Sequence, residues 1–152
     1  MSTLIILGSG WNKALELAEI SRRVPYAEAF GHTTSVPGHQ GELVYGQLAG
    51  KDVVFMSGRF HLYEGYSGIE ATRAIEKLAN EGVDSIVITS ASGALNSQYK
   101  VGDFVVLTDV LTLFLKSNPL IGPEFVDMSQ VFDQKWRERA IKACTEYNLG
   151  YR

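Results

Sequence analysis

The sequence is poor in cysteine and has no long apolar run. Cys144 is the only cysteine among 152 residues, so no internal disulfide can form, and we predict a reducing, cytoplasmic setting. No apolar stretch approaches the roughly 20 residues that cross a bilayer. The first apolar run, residues 4–7, is too short for the core of a signal peptide and follows no basic side chain. These features predict neither export nor membrane insertion.

An excess of basic residues is also missing. Lys and Arg number 14 against 17 Asp and Glu, which gives a formal net charge of -3. Because nucleic acids attract clustered positive charge, this balance argues against a broad nucleic-acid surface, although a local pocket of donors still suits a small anion. The composition is otherwise that of a globular protein, with 45% hydrophobic and 20% charged residues. We therefore predict a single domain spanning residues 1–152.

Four short apolar runs rich in branched side chains predict β-strands. They are residues 4–7, 53–56, 86–88 and 104–107. Their continuous apolarity predicts strands that are covered on both faces. Residues 43–45 and 53–55 flank the turn-like segment 49–52 and predict a hairpin.

Boundary signals mark two helices. Ser67 and Glu70 have the spacing of a capping box, and Gly82 supplies the stop. The second helix begins near Asp133 and closes at Gly150. Its apolar residues at helical spacing are Trp136, Ala140, Ala143 and Tyr147.

Strands that alternate with helices predict an α/β layered fold with a largely parallel sheet. A weaker third helix follows Gly10 and carries Leu15, Ala18 and Ile20. In such folds ligands bind beyond the carboxyl ends of the strands, so the residues that follow each apolar run are the candidates for chemistry.

The segment after residues 53–56 carries the most chemistry. Arg59 offers a planar fork that pairs bidentately with phosphate, and the imidazole of His61 can exchange a proton with the same anion. Tyr63 and Tyr66 can stack against a sugar or base, and Glu64 can fix the tautomer of the imidazole. The alternative is a solvated loop in which Arg and Glu pair with each other and the aromatic rings only pack.

Two other strand ends offer groups that suit an anion. Gly8-Ser9-Gly10 permits a tight turn whose following helix would point its positive end at an anion, and the small residues around Ala91 allow a close backbone approach. Taken alone, the glycine turn is better interpreted as an ordinary strand-to-helix turn. The segment around Ala91 is equally well interpreted as a tight crossover packed under a helix. If these ends meet Arg59 at one edge of the sheet, they form a phosphate pocket. His39, on a turn between the first two runs, is by itself more often solvated than functional.

The sequence also carries a family resemblance. Five ordered segments carry it: Leu7-Gly8-Ser9-Gly10, Val36-Pro37-Gly38-His39, Gly58-Arg59-Phe60-His61-Leu62-Tyr63-Glu64-Gly65-Tyr66, Thr89-Ser90-Ala91-Ser92-Gly93 and Phe125-Val126-Asp127-Met128-Ser129. In order and spacing the chain resembles the amino-terminal half of a trimeric purine nucleoside phosphorylase. The G-R-F-H-x-Y-E-G-Y segment is the specific one, because it separates this group from the related methylthioadenosine phosphorylases. The similarity covers nearly the whole chain.

The resemblance implies a three-layer α/β phosphorylase/hydrolase-like fold, truncated, with a central mixed, largely parallel sheet flanked by helices. It implies reversible phosphorolysis of purine (deoxy)ribonucleosides to the free base and (deoxy)ribose 1-phosphate, as in purine salvage. Inorganic phosphate is a co-substrate, and no metal or organic cofactor is implied. The implied partners are nucleoside and phosphate, with a homotrimer as the assembly and neither nucleic acid nor membrane.

The resemblance also implies roles for individual residues. The residues implied for phosphate binding are Ser9, His39, Arg59, Phe60, His61 and Ala91. His61 and Glu64 take catalytic roles, with Glu64 orienting His61. Tyr63 contacts the ribose, and Phe125 reaches into the site of the neighbouring subunit.

Two departures keep other functions open. The segment Ser90-Ala91-Ser92-Gly93-Ala94 stands where relatives usually carry Asn-Ala-Ala-Gly-Gly, and the sequence stops where the family begins another strand. The residues that read the purine, a second phosphate serine and a late histidine would follow that point. One alternative is therefore a truncated, non-catalytic phosphate- or nucleoside-binding fragment, and another is a flavodoxin-like nucleotide binder with a spectroscopically visible cofactor. We also expect the chain to be oligomeric, because a sheet cut in mid-order exposes an edge.

Overall fold

The computed structural model describes residues 2–36, 40–112 and 125–152, which fall into two compact units. In its described residues, unit 1 comprises residues 2–36 and 40–91, and unit 2 comprises residues 92–112 and 125–152. The elements of unit 1 are β1 Ser2–Leu7, a first 3-10 helix Asn12–Leu17, β2 Glu19–Pro25, α1 Tyr26–Phe30, β3 Glu42–Leu48, β4 Lys51–Ser57, a second 3-10 helix Leu62–Glu64, α2 Gly68–Asn80 and β5 Val83–Ile88. Unit 2 contains α3 Gln134–Glu146.

Unit 1 is built on a mixed five-stranded sheet with the order β2-β3-β4-β1-β5. β1 is parallel to both of its neighbours, β4 and β5, whereas β3 is antiparallel to β4 and β2. The α/β fold class is confirmed. Because β4, β1 and β5 run in the same direction, their carboxyl ends lie along one edge of the sheet.

The core of unit 1 lies on both faces of the neighbouring strands β1 and β4. Leu4 and Met56 belong to one hydrophobic cluster, whereas Leu7 and Phe55 belong to another. Neighbouring residues of one strand point to opposite faces, so β1 and β4 are covered on both sides as their apolar runs predict. Leu78 of α2 is fully buried in the first cluster.

The predicted hairpin and capping box are confirmed. β3 and β4 pair antiparallel, and the turn between them places Ala49 and Gly50 at positive φ, 50° and 72°. Ser67 caps α2: its hydroxyl accepts the Glu70 amide at 3.3 Å, and the Glu70 carboxylate accepts the Ser67 amide at 2.8 Å. The reciprocal bonds satisfy amides that would otherwise lack partners at the helix start.

The predicted helix after Gly10 is wrong. The segment forms the first 3-10 helix, which buries Leu15, and the backbone then becomes extended at Ala18 and continues as β2 with Ile20 in it. β2 is an edge strand that is paired on one side only, with β3. It carries little apolar signal because its side chains are mostly exposed.

Two further predictions need correction. Residues 104–107 form no strand: Phe104 makes an isolated parallel bridge with Tyr151, and Val105 is 51% exposed. α3 begins after Asp133, whose carboxylate accepts an amide of the first turn, but it ends at Glu146 rather than near Gly150. The side chain that α3 buries is Cys144, not the predicted apolar face. The single domain of residues 1–152 stays a prediction.

Candidate functional site

Three strand ends meet at one edge of unit 1. Leu7 of β1 pairs in register with Ser57 of β4, and Ile6 of β1 pairs with Ile88 of β5. Ser9 and Arg59 each come two residues after the first pair, and Ser9 and Ala91 each come three residues after the second. The predicted convergence of these three segments at one sheet edge is therefore confirmed.

Arg59 extends across this edge. Its Nη1 donates to the carbonyl of Thr89 at 3.0 Å, although residue 59 follows β4 and residue 89 follows β5. β1 lies between these strands, which are two strand spacings apart, or about 9.6 Å. The side chain must therefore cross the carboxyl end of β1, where the turn with Ser9 begins. A guanidinium is planar and rigid, so fixing one nitrogen constrains the direction of all its donors.

Gly8 lies in tight contact with the end of β5. Its amide donates to Oγ1 of Thr89 at 3.0 Å, and that hydroxyl donates to the carbonyl of Ile6 at 3.0 Å. A Cβ at position 8 would come within 2.5 Å of the Thr89 carbonyl oxygen and 2.9 Å of Cα of Ser90. Residue 8 therefore has to be glycine because of this close approach, not because of its backbone angles.

The helix after this turn differs from the prediction. It is a 3-10 helix of six residues, and the carbonyl of Gly8 accepts the amide of Trp11 at 3.1 Å within the turn. So short a helix has no strong dipole, because the dipole sums over aligned peptide units. The turn itself can still offer groups to an anion, because Ser9 is exposed. Gly10, the next residue of the turn, has a φ of 86°.

A buried hydroxyl lies at the end of β4. Ser57 is 0% exposed, and its Oγ lies 3.1 Å from Oδ1 of Asn12 and 3.2 Å from Oε1 of Gln40. A hydroxyl has one proton, so it donates to one of these oxygens at a time. Sequence reasoning missed this contact because no motif marks a serine that ends a buried strand.

Glu64 joins two loops. Its carboxylate accepts the backbone amides of Ser35 at 2.8 Å and of His61 at 2.9 Å, and also the hydroxyl of Thr34 at 3.0 Å. Partial burial alone would raise its pKa, but these hydrogen bonds outweigh burial and hold the pKa below the ordinary value of 4.5. The carboxylate stays charged and fixes the backbone at residue 61. Its orientation of the imidazole stays a prediction.

His61 and Tyr63 form a stacked pair. Their ring centroids are 4.6 Å apart, and the ring planes differ by 19°. Tyr63 is 73% exposed, whereas His61 is half-buried. The pair presents one aromatic face to solvent at the predicted position of the sugar. Tyr66 differs, because its hydroxyl donates to the carbonyl of Thr33 at 2.6 Å.

The side chain of Phe60 belongs to the core. It is 5% exposed, and its ring lies 5.2 Å from Tyr26, 5.9 Å from Phe30 and 5.2 Å from Tyr66 between ring centroids. Only the backbone of residue 60 is therefore available to an anion at the sheet edge. The aromatic cluster instead anchors the loop that carries Arg59 and His61.

Comparison with known proteins gives three kinds of match. A family model described as the phosphorylase superfamily matches residues 2–152. The chain is 36% identical over 156 residues to purine nucleoside phosphorylase 1 of Geobacillus stearothermophilus. This match covers 97% of the chain and 57% of the bacterial protein. A crystal structure of Schistosoma mansoni purine nucleoside phosphorylase with acetate has a TM-score of 0.85 at 34% identity, covering 99% of this chain and 60% of that one. A purine nucleoside phosphorylase in complex with ribose 1-phosphate gives 0.85 at 33% identity, covering 98% and 58%.

The family match extends over nearly every residue. The chain belongs to the phosphorylase superfamily. It spans about half the length of the curated relatives it matches, such as the purine nucleoside phosphorylases of Geobacillus stearothermophilus, Bacillus subtilis and Rattus norvegicus. The resemblance drawn from the sequence motifs is thus confirmed.

Two predicted site residues do not belong to the described part of unit 1. His39 falls outside the described residues. Phe125 belongs to unit 2, where it is 98% exposed. No helix in the described part of the chain is long and apolar enough to cross a bilayer, and no cluster of three His, Cys, Asp or Glu side chains there could hold a metal ion. The absence of a cofactor stays a prediction.

Proposed function

We propose that the chain supplies the phosphate- and ribose-binding part of a purine nucleoside phosphorylase. The reaction is reversible phosphorolysis of purine (deoxy)ribonucleosides to free base and (deoxy)ribose 1-phosphate. The observation that carries the proposal is the position of Arg59. Its side chain reaches from the end of β4, across the end of β1, to the carbonyl of Thr89 after β5. One similar structure is a complex with ribose 1-phosphate, a product of this reaction.

Phosphate is the co-substrate, and its ligands are proposed from separate turns. They are Ser9, His39, Arg59, His61 and the backbone of Phe60 and Ala91. Arg59 supplies the positive charge and a planar set of donors that suits phosphate oxygens. Amide and hydroxyl donors from the other turns complete the shell without adding net charge. No metal or organic cofactor takes part.

The ribose is proposed to lie against Tyr63. Its ring is exposed and stacked on His61, so a sugar bound there would lie beside the phosphate ligands. Glu64 holds the backbone of residue 61 in place and thereby positions the imidazole. In the proposed homotrimer, Phe125 of a neighbouring copy closes this side of the site, which suits a side chain that is 98% exposed.

The chemistry requires one bond to form and one to break. A phosphate oxygen held beneath the anomeric carbon forms the new C–O bond, while the C–N bond to the purine breaks and its electron pair leaves with the base. Holding phosphate and sugar in contact supplies proximity, and Arg59 keeps the nucleophile in place as charge moves from phosphate to purine.

Removal of Arg59 tests the phosphate site. Arg59→Ala should weaken inorganic phosphate binding by roughly 10- to 100-fold in calorimetric titration, since a hydrogen bond to a charged group contributes about 1.5–3 kcal/mol. Arg73→Ala, on the exposed side of α2, is the matched control and should leave the affinity unchanged. Equal phosphate affinity in the wild type and Arg59→Ala would contradict the assignment.

A second candidate function is binding without turnover. It is favoured by the observation that the chain covers only 57% of the bacterial relative. Mixing the chain with inosine and phosphate separates the two functions. Release of hypoxanthine by this polypeptide alone rejects the non-catalytic fragment, whereas phosphate binding without release supports it.

The cellular role and assembly are proposals of the same kind. A cytoplasmic location rests on the single cysteine, and a role in purine salvage rests on the proposed reaction. A homotrimer would complete each site with Phe125. Light scattering tests this assembly, and a monodisperse monomer at the concentrations used for assay would contradict it.

A further inference from the structure

We propose that Thr89 is a positioning residue for phosphate binding: one residue at the end of β5 sets both the turn that presents Ser9 and the direction of the Arg59 guanidinium. The inference rests on the proposed function, because it assigns Thr89 a role in binding phosphate. It adds a residue that touches neither phosphate nor sugar and acts through two residues that do.

The hydroxyl of Thr89 fixes the turn after β1. It accepts the Gly8 amide at 3.0 Å and donates to the carbonyl of Ile6 at 3.0 Å. A hydroxyl has one proton and two lone pairs, so both bonds form at once. The side chain is branched at Cβ, which restricts its χ1 angle and keeps the oxygen in place. The residue after Gly8 is Ser9, so the hydroxyl sets the start of the turn that carries a proposed phosphate ligand.

The backbone of the same residue fixes Arg59. The Thr89 carbonyl accepts Nη1 of Arg59 at 3.0 Å, and the Thr89 amide donates to the Ile6 carbonyl at 3.0 Å. The amide and hydroxyl bonds both tie residue 89 to β1, and they therefore hold the acceptor that orients the guanidinium. A shift of residue 89 would move the turn and the guanidinium relative to each other.

The ends of β1 and β5 pack closely against each other at this junction. The Thr89 carbonyl oxygen lies so close to Gly8 that any Cβ at that position would approach it to 2.5 Å. β1 and β5 are thus in backbone contact at their carboxyl ends. Removing the hydroxyl leaves the Gly8 amide without this partner in a partly buried position, and the turn must move to find another.

The same strand pair supplies a control. Near the amino ends of β1 and β5, the hydroxyls of Thr3 and Ser85 lie 3.1 Å apart. This bond also joins the two strands, but it lies at the opposite end from Arg59. Thr3→Val removes a hydroxyl bond between β1 and β5 without touching the carboxyl edge.

Three variants test the proposal: Thr89→Val, Thr89→Ser and Thr3→Val. Thr89→Val keeps the shape but loses the hydroxyl, and we expect it to weaken inorganic phosphate binding five- to tenfold in calorimetric titration. Thr89→Ser retains the hydroxyl and should stay within twofold of the wild type. Thr3→Val should bind phosphate like the wild type even where it lowers the melting temperature as much as Thr89→Val does.

Wild-type affinity in Thr89→Val overturns the proposal, as does an equal loss of affinity in Thr3→Val. If Arg59→Ala weakens binding while Thr89→Val does not, only this inference fails. If the unmodified chain does not bind phosphate, the proposed function fails and this inference fails with it. Should Thr89→Val not fold, hydrogen exchange of the unmodified chain decides: a Gly8 amide that exchanges as fast as in the unfolded chain overturns the proposal, and a protected one supports it.

Discussion

The two compact units differ in how much of a core each one builds. Unit 1 buries two hydrophobic clusters on the two faces of its sheet. In the described residues of unit 2, the buried hydrophobic side chain is Cys144, and the strand-like pairing is a single bridge between Phe104 and Tyr151. All proposed phosphate ligands within the described residues belong to unit 1. Binding groups need a rigid support, and unit 1 provides one by itself.

Unit 2 leaves large apolar side chains in solvent. Those more than 70% exposed are Leu95, Val101, Leu111, Phe125 and Tyr147. A surface of this kind is typical of segments that associate with other chains or segments. We therefore expect unit 1 to have a larger free energy of unfolding than unit 2.

Matched leucine truncations should separate the two units most strongly. Leu78 of unit 1 is fully buried and Leu149 of unit 2 is 43% exposed, so Leu78→Ala should cost about 2–5 kcal/mol of unfolding free energy and Leu149→Ala under about 1 kcal/mol. Trp11 and Trp136 lie in different units. Denaturant unfolding followed by fluorescence in the backgrounds Trp136→Phe and Trp11→Phe therefore reports on each unit separately. Equal losses from the two truncations would remove the distinction between the units.

Tyr26 connects the core of unit 1 to the site. Its fully buried hydroxyl donates to the carbonyl of Gly58 at 2.8 Å, directly before Arg59. Tyr26→Phe leaves that carbonyl without its partner and should cost about 1–3 kcal/mol by thermal or denaturant unfolding. Tyr147→Phe, at a position that is 75% exposed in unit 2, is the control and should change stability little.

The same tyrosine predicts alkaline sensitivity. Burial, and then the negative charge of Glu42, raise the pKa of Tyr26 well above its ordinary value of 10.0. The unfolded chain therefore loses this proton near pH 10 while the folded chain keeps it. Stability is fully present below pH 10 and falls above it, by about 1.4 kcal/mol per pH unit for one such group. A melting temperature that falls equally above pH 10 in Tyr26→Phe would contradict this cause.

Glu64 should give the smallest of these effects. Glu64→Gln weakens the bonds to the amides of Ser35 and His61, and we expect a loss of about 1–2 kcal/mol near neutral pH. Because the pKa of Glu64 is lowered on folding, its contribution is present above pH 4.5 and is lost as the pH falls through the lower folded value. The stability difference between the wild type and Glu64→Gln should therefore shrink in acid.

Unit 2 supplies the control for this last comparison. Glu146 forms an exposed ion pair with Lys142 at 3.7 Å, so Glu146→Gln should cost only a few tenths of a kcal/mol. Unfolding curves between about pH 3 and 7 check both variants. A stability difference for Glu64→Gln that stays constant through this range would mean that its carboxylate is not held charged by the loop.

Motifs of a few consecutive residues predicted those parts of the fold that depend on neighbours in the sequence. The capping box at Ser67 and the two-sided burial of β1 follow from side chains that lie close together in sequence. β2 was not predicted, because an edge strand tolerates exposed charged side chains and therefore lacks an apolar pattern. Its pairing with β3 depends on contacts between segments that are distant in sequence. Residues 104–107 have the apolar content of a strand, but they form only one isolated β-bridge within the described residues. Strand formation also depends on a pairing partner, which the local sequence does not reveal.

For the candidate site, the sequence likewise predicted the segments that come together but not the contacts between them. The rule that ligands bind beyond parallel strand ends selected Ser9, Arg59 and Ala91, and the register brings those segments to one edge. Thr89 and Ser57 could not be selected for their contacts, because these depend on the order β4-β1-β5. The contact of Glu64 with Ser35 likewise joins loops that are distant in sequence.

The most direct test of the account follows the backbone amides of the chain during titration with inorganic phosphate by nuclear magnetic resonance. We predict saturable shifts at the three strand ends, residues 8–10, 58–61 and 89–91, with little change in α3. Shifts confined to other parts of the chain, or none at millimolar phosphate, would contradict a phosphate site built around Arg59.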